Sequence, residues 1–328
     1  MRHMALALLV VLVACPQARD LVAGRQGLDL RSTPLALSES KPDAQRLGAL
    51  TYRGGLVLDA NHPAFGGLSG LRVSAEGSRF TAVTDKGNWV TGALRYDGAG
   101  KLSGVAAAEL GPLGEPAEGP AGDSRGRDAE ALTRLPDGRT LVAFEGDHRI
   151  LAYPPGAPPA IAGKATRVAT PPLLAQAEPN GGPEALAALA DGRLVMLTES
   201  LRTQAARIGF LRDADGWRRV RYPLDPDFKP TDAAQLPGGD LLVLERRFDP
   251  LGGFQARLRR VPGGRIQPGA MLDGPVIAHF RRPFIVDNFE GLAVRTGPDG
   301  ATRVYIVSDD NFQPLQRTLL LMFALDAG

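Results

Sequence analysis

The 328-residue chain is 44% hydrophobic and 23% charged, with a net charge of +2, a composition ordinary for a soluble globular protein. Its arginines are dispersed rather than gathered in a basic block, and aromatics make up only 6%, which argues against a nucleic-acid arm or a base-stacking platform. Forty Gly and 27 Pro fall between short apolar runs, so many turns are expected and long helices are not.

At the amino terminus Arg2 and His3 precede the apolar run Ala5–Ala14, about half of what is needed to span a bilayer and therefore read as the core of a signal peptide. The run ends in Leu12-Val13-Ala14-Cys15, which resembles a bacterial lipobox whose cysteine is lipidated; the alternative is a plain secretory signal with an incidental thiol. Cys15 is the single cysteine, so no internal disulfide can form, and any membrane attachment would run through its lipid anchor alone. The expected setting is the bacterial cell envelope. Residues 1–15 are thus assigned to the signal, 16–45 to a tether or entry segment, and 46–328 to one folded domain.

Within that domain one pattern recurs: an acid or small residue, a short apolar stretch, a turn, and a second apolar run ending in an acid. Clear copies run from Asp128 to Glu145, from Pro183 to Glu199 and from Thr231 to Glu245. A fourth joins Phe289–Val294 to Arg303–Asp310, and a weaker first copy joins Leu68–Val73 to Arg79–Asp85. Asp137-Gly138, Asp191-Gly192 and Gly238-Gly239 supply the positive-φ dipeptides that tight hairpins require. Markers at positions 70, 130, 184, 232 and 290 are 60, 54, 48 and 58 residues apart, the period of a four-stranded propeller blade. An all-β propeller is predicted, with six blades favoured over seven. The sixth is sought in Gln255–Val261 with Val276–Phe280, and Leu47–Leu58 pairing with Thr318–Leu325 would close the ring.

In such a ring, equivalent positions converge on the axis. The marker acids Glu130, Glu184, Asp232 and Glu290, and the strand-ending acids Asp85, Glu145, Glu199, Glu245 and Asp309, should therefore crowd one end of the channel. Crowded carboxylates need a cation or basic partners. Hard oxygen ligands select Ca²⁺ or Mg²⁺; zinc is disfavoured, since only His62, His148 and His279 follow the signal. Glu130, Glu184, Asp232 and Glu290 are the predicted metal ligands. Arg127, Arg246 and Lys86 lie beside acids in the sequence and would neutralise charge developing on a phosphate or carboxylate group. A purely structural ring of ion pairs, using Arg127, Arg134, Arg246, Arg247 and Arg317, is the competing reading.

The runs Gly126–Leu132, Leu241–Phe248 with Gly252–Phe254, Asn288–Ala293, Ser308–Phe312 and Gln316–Phe323 resemble the bacterial phytase-like family, described by an esterase-like activity of phytase. The resemblance spans residues 47–325 and implies a β-propeller, an envelope setting and ester or phosphoester hydrolysis. The Asp-Asp-Pro-Ala signature of calcium-dependent propeller phytases is absent, Gly67-Leu68-Ser69-Gly70 is not a Gly-x-Ser-x-Gly elbow, a propeller offers no strand-to-helix turn to hold one, and no Walker loop or dinucleotide fingerprint is found. The readings carried forward are a divalent-cation hydrolase of a small phosphate ester or related ester, a lactonase-like hydrolase, and a non-catalytic envelope propeller binding a ligand or protein.

Overall fold

The computed structural model describes residues 22–118, 125–156, 159–225 and 227–326. Four strands precede the first blade: β1 (Gln26–Leu28), β2 (Leu30–Pro34), β3 (Arg46–Leu47) and β4 (Leu50–Ala60). Blade one is β5 (Leu68–Val73), β6 (Arg79–Thr84), β7 (Asn88–Tyr96) and β8 (Leu102–Pro112). Blade two is β9 (Ala129–Arg134), β10 (Thr140–Phe144), β11 (Arg149–Tyr153) and β12 (Thr166–Val168). Blade three comprises β13 (Pro183–Ala188), β14 (Leu194–Arg202), β15 (Ala206–Asp213) and β16 (Gly216–Pro223). Blade four comprises β17 (Lys229–Gln235), β18 (Leu241–Asp249), β19 (Gly253–Val261) and β20 (Val276–Phe280). Blade five is β21 (Asn288–Thr296), β22 (Thr302–Asp309) and β23 (Thr318–Leu325), completed by β4.

The propeller therefore has five blades among the described residues, not six or seven. Gln255–Val261 and Val276–Phe280, sought as a sixth blade, are the outer half of the fourth, paired through Ala256↔Phe280 and Leu258↔Ala278. The amino-terminal strand closes the ring as predicted, with Leu319 opposite Val57 and Leu320 opposite Leu56, so blade five draws on both ends of the domain. The segment predicted as a tether is in part structural: β1 adds to β8 of blade one and β2 adds to β4 of blade five. One short stretch thus covers the outer edges of two neighbouring blades, which removes open edges that would otherwise template further pairing. The signal segment and Cys15 lie outside the described residues.

Five hydrophobic clusters fill the five seams between blades. The second strand of each blade is buried on both faces, which is why Leu141–Phe144, Leu241–Leu244 and Val304–Val307 read as continuous apolar runs. Alternation then sends successive side chains to opposite seams. In β18, Leu241 and Val243 pack toward blade three while Leu242 and Leu244 pack toward blade five. The inner strands β5, β9, β13, β17 and β21 each lie against the next around the axis. Gly70 and Gly291 permit that approach: a Cβ on Gly70 would sit 2.4 Å from the Leu132 nitrogen, and one on Gly291 would sit 2.4 Å from the Ser69 oxygen.

Candidate functional site

Every inner hairpin carries a register break near the start of its first strand. Pairing skips from Ala129↔Phe144 to Ala131↔Ala143, from Pro183↔Thr198 to Ala185↔Leu197, and from Phe289↔Ser308 to Gly291↔Val307. The extra residues are Glu130, Glu184 and Glu290. A bulge leaves the inserted residue out of the ladder and re-aims its side chain, so three glutamates are released from pairing at one end of the axis. In blade one the break spans Ser69 and Gly70, between Leu68↔Thr84 and Leu71↔Ala82.

Blade four departs from the sequence expectation by one residue. Its break lies between Pro230↔Glu245 and Asp232↔Leu244, so the inserted residue is Thr231, and Asp232 is equivalent to Ala131, Ala185 and Gly291. The second strand shifts likewise. Glu245 aligns with Phe144, Thr198 and Ser308, and Arg246 takes the place that Glu145, Glu199 and Asp309 hold elsewhere. Because side chains alternate along a strand, one residue of slip exchanges faces. Glu245 is buried in the seam, bonded to Arg257 at 2.5 Å with Arg259 at 3.5 Å, and is not at the mouth. Arg246 is the cation there, 3.2 Å from Glu290 Oε1.

Asp232 is also committed elsewhere. Its Oδ2 accepts the Leu292 N–H at 2.6 Å and its Oδ1 the Ala233 N–H at 2.8 Å, with a further backbone bond from Leu71. Since β17 and β5 are not neighbours in the ring, this carboxyl group ties three inner strands together across the axis. It is 1% exposed.

The densest part of the mouth is on blades two and three. Oxygens of Asp128, Glu130 and Glu145 all lie within 4.8 Å of one another. Asp128 hydrogen-bonds Glu130, and Glu145 hydrogen-bonds Glu184, contacts that require a shared proton when no cation is bound. Glu145 Oε1 additionally accepts the Gly182 N–H at 2.6 Å. Burial pushes Glu130 well above the usual carboxylate range, with Asp128, Glu145 and Glu290 adding repulsion; burial does the same to Glu184, reinforced by Glu145 and Glu130. Asp309 is pushed up to about 8, first by burial and then by Glu290. Asp128 Oδ1 is buried without a hydrogen-bond partner. An orphaned carboxylate oxygen beside three repelling carboxyl groups, with no ion pair to Asp128, Glu130, Glu145 or Glu184 among the described residues, is the donor set that suits a hard divalent cation.

The predicted site residues therefore divide. Glu130 and Glu184 belong to the cluster; Glu290 is nearby but held by Arg246; Asp232 is spent on backbone N–H groups. Of the predicted cations, Arg246 is at the mouth, whereas Lys86 stacks 3.2 Å from the Phe312 ring centroid at the junction of blades one and five. Arg127 lines a 140 Å³ pocket in the seam of blades one and two with Glu115 and Arg149. Asp128 stood in the repeat but not among the predicted ligands, and Glu145 was noted only as a strand end; the bulge that unites them with Glu130 is not visible in spacing alone. Cys15 lies outside the described residues.

The family model for proteins described as "Phytase-like: Esterase-like activity of phytase" matches residues 63–312, about three-quarters of the chain. The chain belongs to the phytase-like family. The matched span of this phytase-like chain contains every carboxylate of the mouth. No curated protein matches the sequence. Among solved structures, a gluconolactonase from Xanthomonas campestris is 15% identical, covering 93% of this chain and 87% of its own, with a TM-score of 0.45. A luciferin-regenerating enzyme is 11% identical, over 90% and 98% of the two chains, at 0.43. The PQQ-bound aldose sugar dehydrogenase of Streptomyces coelicolor is 13% identical, over 89% and 98%, at 0.42. What those proteins act on is a property of those proteins.

Proposed function

We propose that this phytase-like propeller is a cation-dependent hydrolase of a phosphate ester or related ester, acting at its acidic mouth. The observation that carries the reading is the meeting of Asp128, Glu130 and Glu145 within 4.8 Å, next to Glu184, where burial and mutual repulsion raise Glu130 and Glu184 together. The family's esterase-like description points the same way. Asp128, Glu130, Glu145 and Glu184 would hold Ca²⁺ or Mg²⁺. Such an ion, when bound, polarises an ester oxygen and lowers the pKa of an attacking water.

The chain's own residues supply the rest. Arg246 is fixed by Glu290 at 3.2 Å and by Asn288 Oδ1 at 2.5 Å, which leaves a rigid guanidinium beside the cluster to take charge developing on the substrate oxyanion. Asp309, which retains its proton to about pH 8, accepts from Asn288 Nδ2 at 3.1 Å and holds the amide that orients Arg246. Hydrolysis joins water oxygen to phosphorus or acyl carbon, breaks the ester bond and releases an alcohol. We further propose the cell envelope as the setting, with Cys15 as lipid anchor.

The test is a panel of aryl phosphates, carboxyl esters and lactones offered to purified protein with Ca²⁺ or Mg²⁺ and with chelator. Cation-dependent turnover of one ester class is expected, and Glu145→Gln should lower it by about a hundredfold or more. Absence of turnover across the panel with both ions would overturn the reading.

A further inference from the structure

Large apolar side chains are exposed at four positions among the described residues, and three of them, Phe248, Leu251 and Leu315, stand at the mouth end of the axis. Past Glu245, β18 runs four more residues, from Arg246 at the mouth to Asp249, paired with β19 throughout. The hairpin tip therefore projects about 13 Å beyond the level of Glu245. Phe248 is 62% exposed on its last rungs and Leu251 is 101% exposed at its turn. On the adjacent blade, the segment 310–317 follows Asp309 at the same end and presents Leu315, 96% exposed.

Both loops are held by their own hydrogen bonds. Asp249 Oδ1 accepts the N–H groups of Leu251 and Gly252 at 2.8 Å each, and Phe248 packs on Phe254 with ring centroids 4.9 Å apart. In the second loop, the Gln313 N–H bonds the Asp310 oxygen at 2.7 Å and Asn311 Nδ2 bonds Gln316 Oε1 at 2.9 Å. Each loop is thus fixed while its leucine meets only water. Cations flank these tips. Arg281 and Arg282, between β20 and β21, and Arg202, at the end of β14, are exposed and have no ion pair among the described residues. Acids of the same rim are already held: Asp227 and Asp249 by Arg247 at 3.2 and 3.6 Å, and Glu39 by Arg317 at 3.6 Å.

The amino-terminal segment reaches this end as well. The Val22 N–H bonds Asn88 Oδ1 at 3.4 Å, just past Asp85, and Gln26 at the start of β1 lies opposite Leu110. Cys15 precedes Val22 by seven residues, a reach of about 25 Å at most, so a lipid on that cysteine would lie close to the mouth end.

We infer that the mouth end is a membrane-docking face, on which Phe248, Leu251 and Leu315 enter the boundary of headgroups and acyl chains while Arg202, Arg281 and Arg282 meet anionic headgroups. Apolar side chains on rigid tips gain free energy by leaving water, and flanking guanidinium groups gain by nearing a negative surface. A bilayer suits them better than a protein partner. Three apolar side chains on tips of two blades make no contiguous core of the kind a stable protein interface buries.

The test places one environment-sensitive fluorophore on the full chain in a Cys15→Ser background, through Pro250→Cys or Pro314→Cys, which leaves both leucines in place. Vesicles of phosphatidylethanolamine with phosphatidylglycerol are the probe. A blue shift, and quenching by brominated acyl chains, is expected at both positions, and neither at an Ala190→Cys label, in a turn at the far end. Leu251→Asp/Leu315→Asp should abolish the shift, and Arg281→Glu/Arg282→Glu should weaken vesicle binding by about tenfold or more. All these positions are exposed, so the variants are expected to fold, and circular dichroism spectra matching the parent check it. Labels at 250 and 314 that stay unshifted on vesicles, as they would if the run Ala5–Ala14 alone bound lipid, would overturn the inference. So would an equal shift at Ala190. None of these readouts uses turnover, so their failure leaves cation-dependent hydrolysis standing.

Discussion

Glu184 and Asp232 were equivalent by spacing and are opposite in use. Glu184 is a released side chain in a repelling cluster, so Glu184→Gln should stabilise the cation-free protein, by about 1 kcal/mol or more, and abolish the rise in melting temperature that Ca²⁺ produces. An unchanged rise would remove Glu184 from the ligands. Asp232 instead accepts backbone bonds from three inner strands, and Asp232→Ala would leave the Leu292 and Leu71 N–H groups buried and unpaired. A loss of roughly 2–4 kcal/mol in denaturant melts is expected, with Ca²⁺ response retained in whatever fraction folds. The acid at position 232 was legible in the sequence; its role was not, because the shift of the bulge to Thr231 shows only as an interval of 13 residues from Asp232 to Glu245, against 15 from Glu130 to Glu145 and from Glu184 to Glu199.

Among the elements, the inner hairpins decide the geometry. A register break in each one interrupts the ladder and in three of them releases a glutamate, while small residues such as Gly70 and Gly291 let neighbouring inner strands touch. Gly70→Ala should therefore cost about 2 kcal/mol or more, since its Cβ would meet backbone of β9 at 2.4 Å and backbone cannot turn aside. A melting temperature equal to that of the parent would show that the inner ring is looser than described. Turn dipeptides and apolar runs made the hairpins readable, and the closing pair β4 and β23 was readable from its leftover strands. Blade count was not. Spacings of 48 to 60 residues were read as one blade each, with a sixth sought in Gln255–Val261 and Val276–Phe280, but those residues sit as β19 and β20, the outer half of blade four. Nor did composition reveal that Gln26–Pro34 forms edge strands, since two short pairings to distant β8 and β4 leave no local period.

In the whole molecule, five seams of apolar packing surround one axis whose mouth is acidic. Buried carboxyl groups at the mouth make stability depend on pH in a direction that can be worked out. The unfolded chain ionises such acids near pH 4, whereas Asp309 in the folded protein keeps its proton to about 8 and Glu130 and Glu184 are displaced the same way. Between those values the folded state binds more protons, so without cation its melting temperature should fall as pH rises from about 4 to about 8. Saturating Ca²⁺ should flatten that slope by stabilising the ionised form. A chelator-treated protein whose stability rises over the same range would show that the cluster is neutralised by other means.

Calcium titration of chelator-stripped protein by calorimetry, with the Glu130→Gln/Glu145→Gln double variant alongside, addresses the cluster most directly. The parent should bind one Ca²⁺ per chain and release protons as it does so, and the double variant, folded by circular dichroism, should bind at least a hundredfold more weakly. Equal Ca²⁺ affinity in the two proteins, or no binding by the parent at millimolar ion, would contradict a cation site built from the bulged acids.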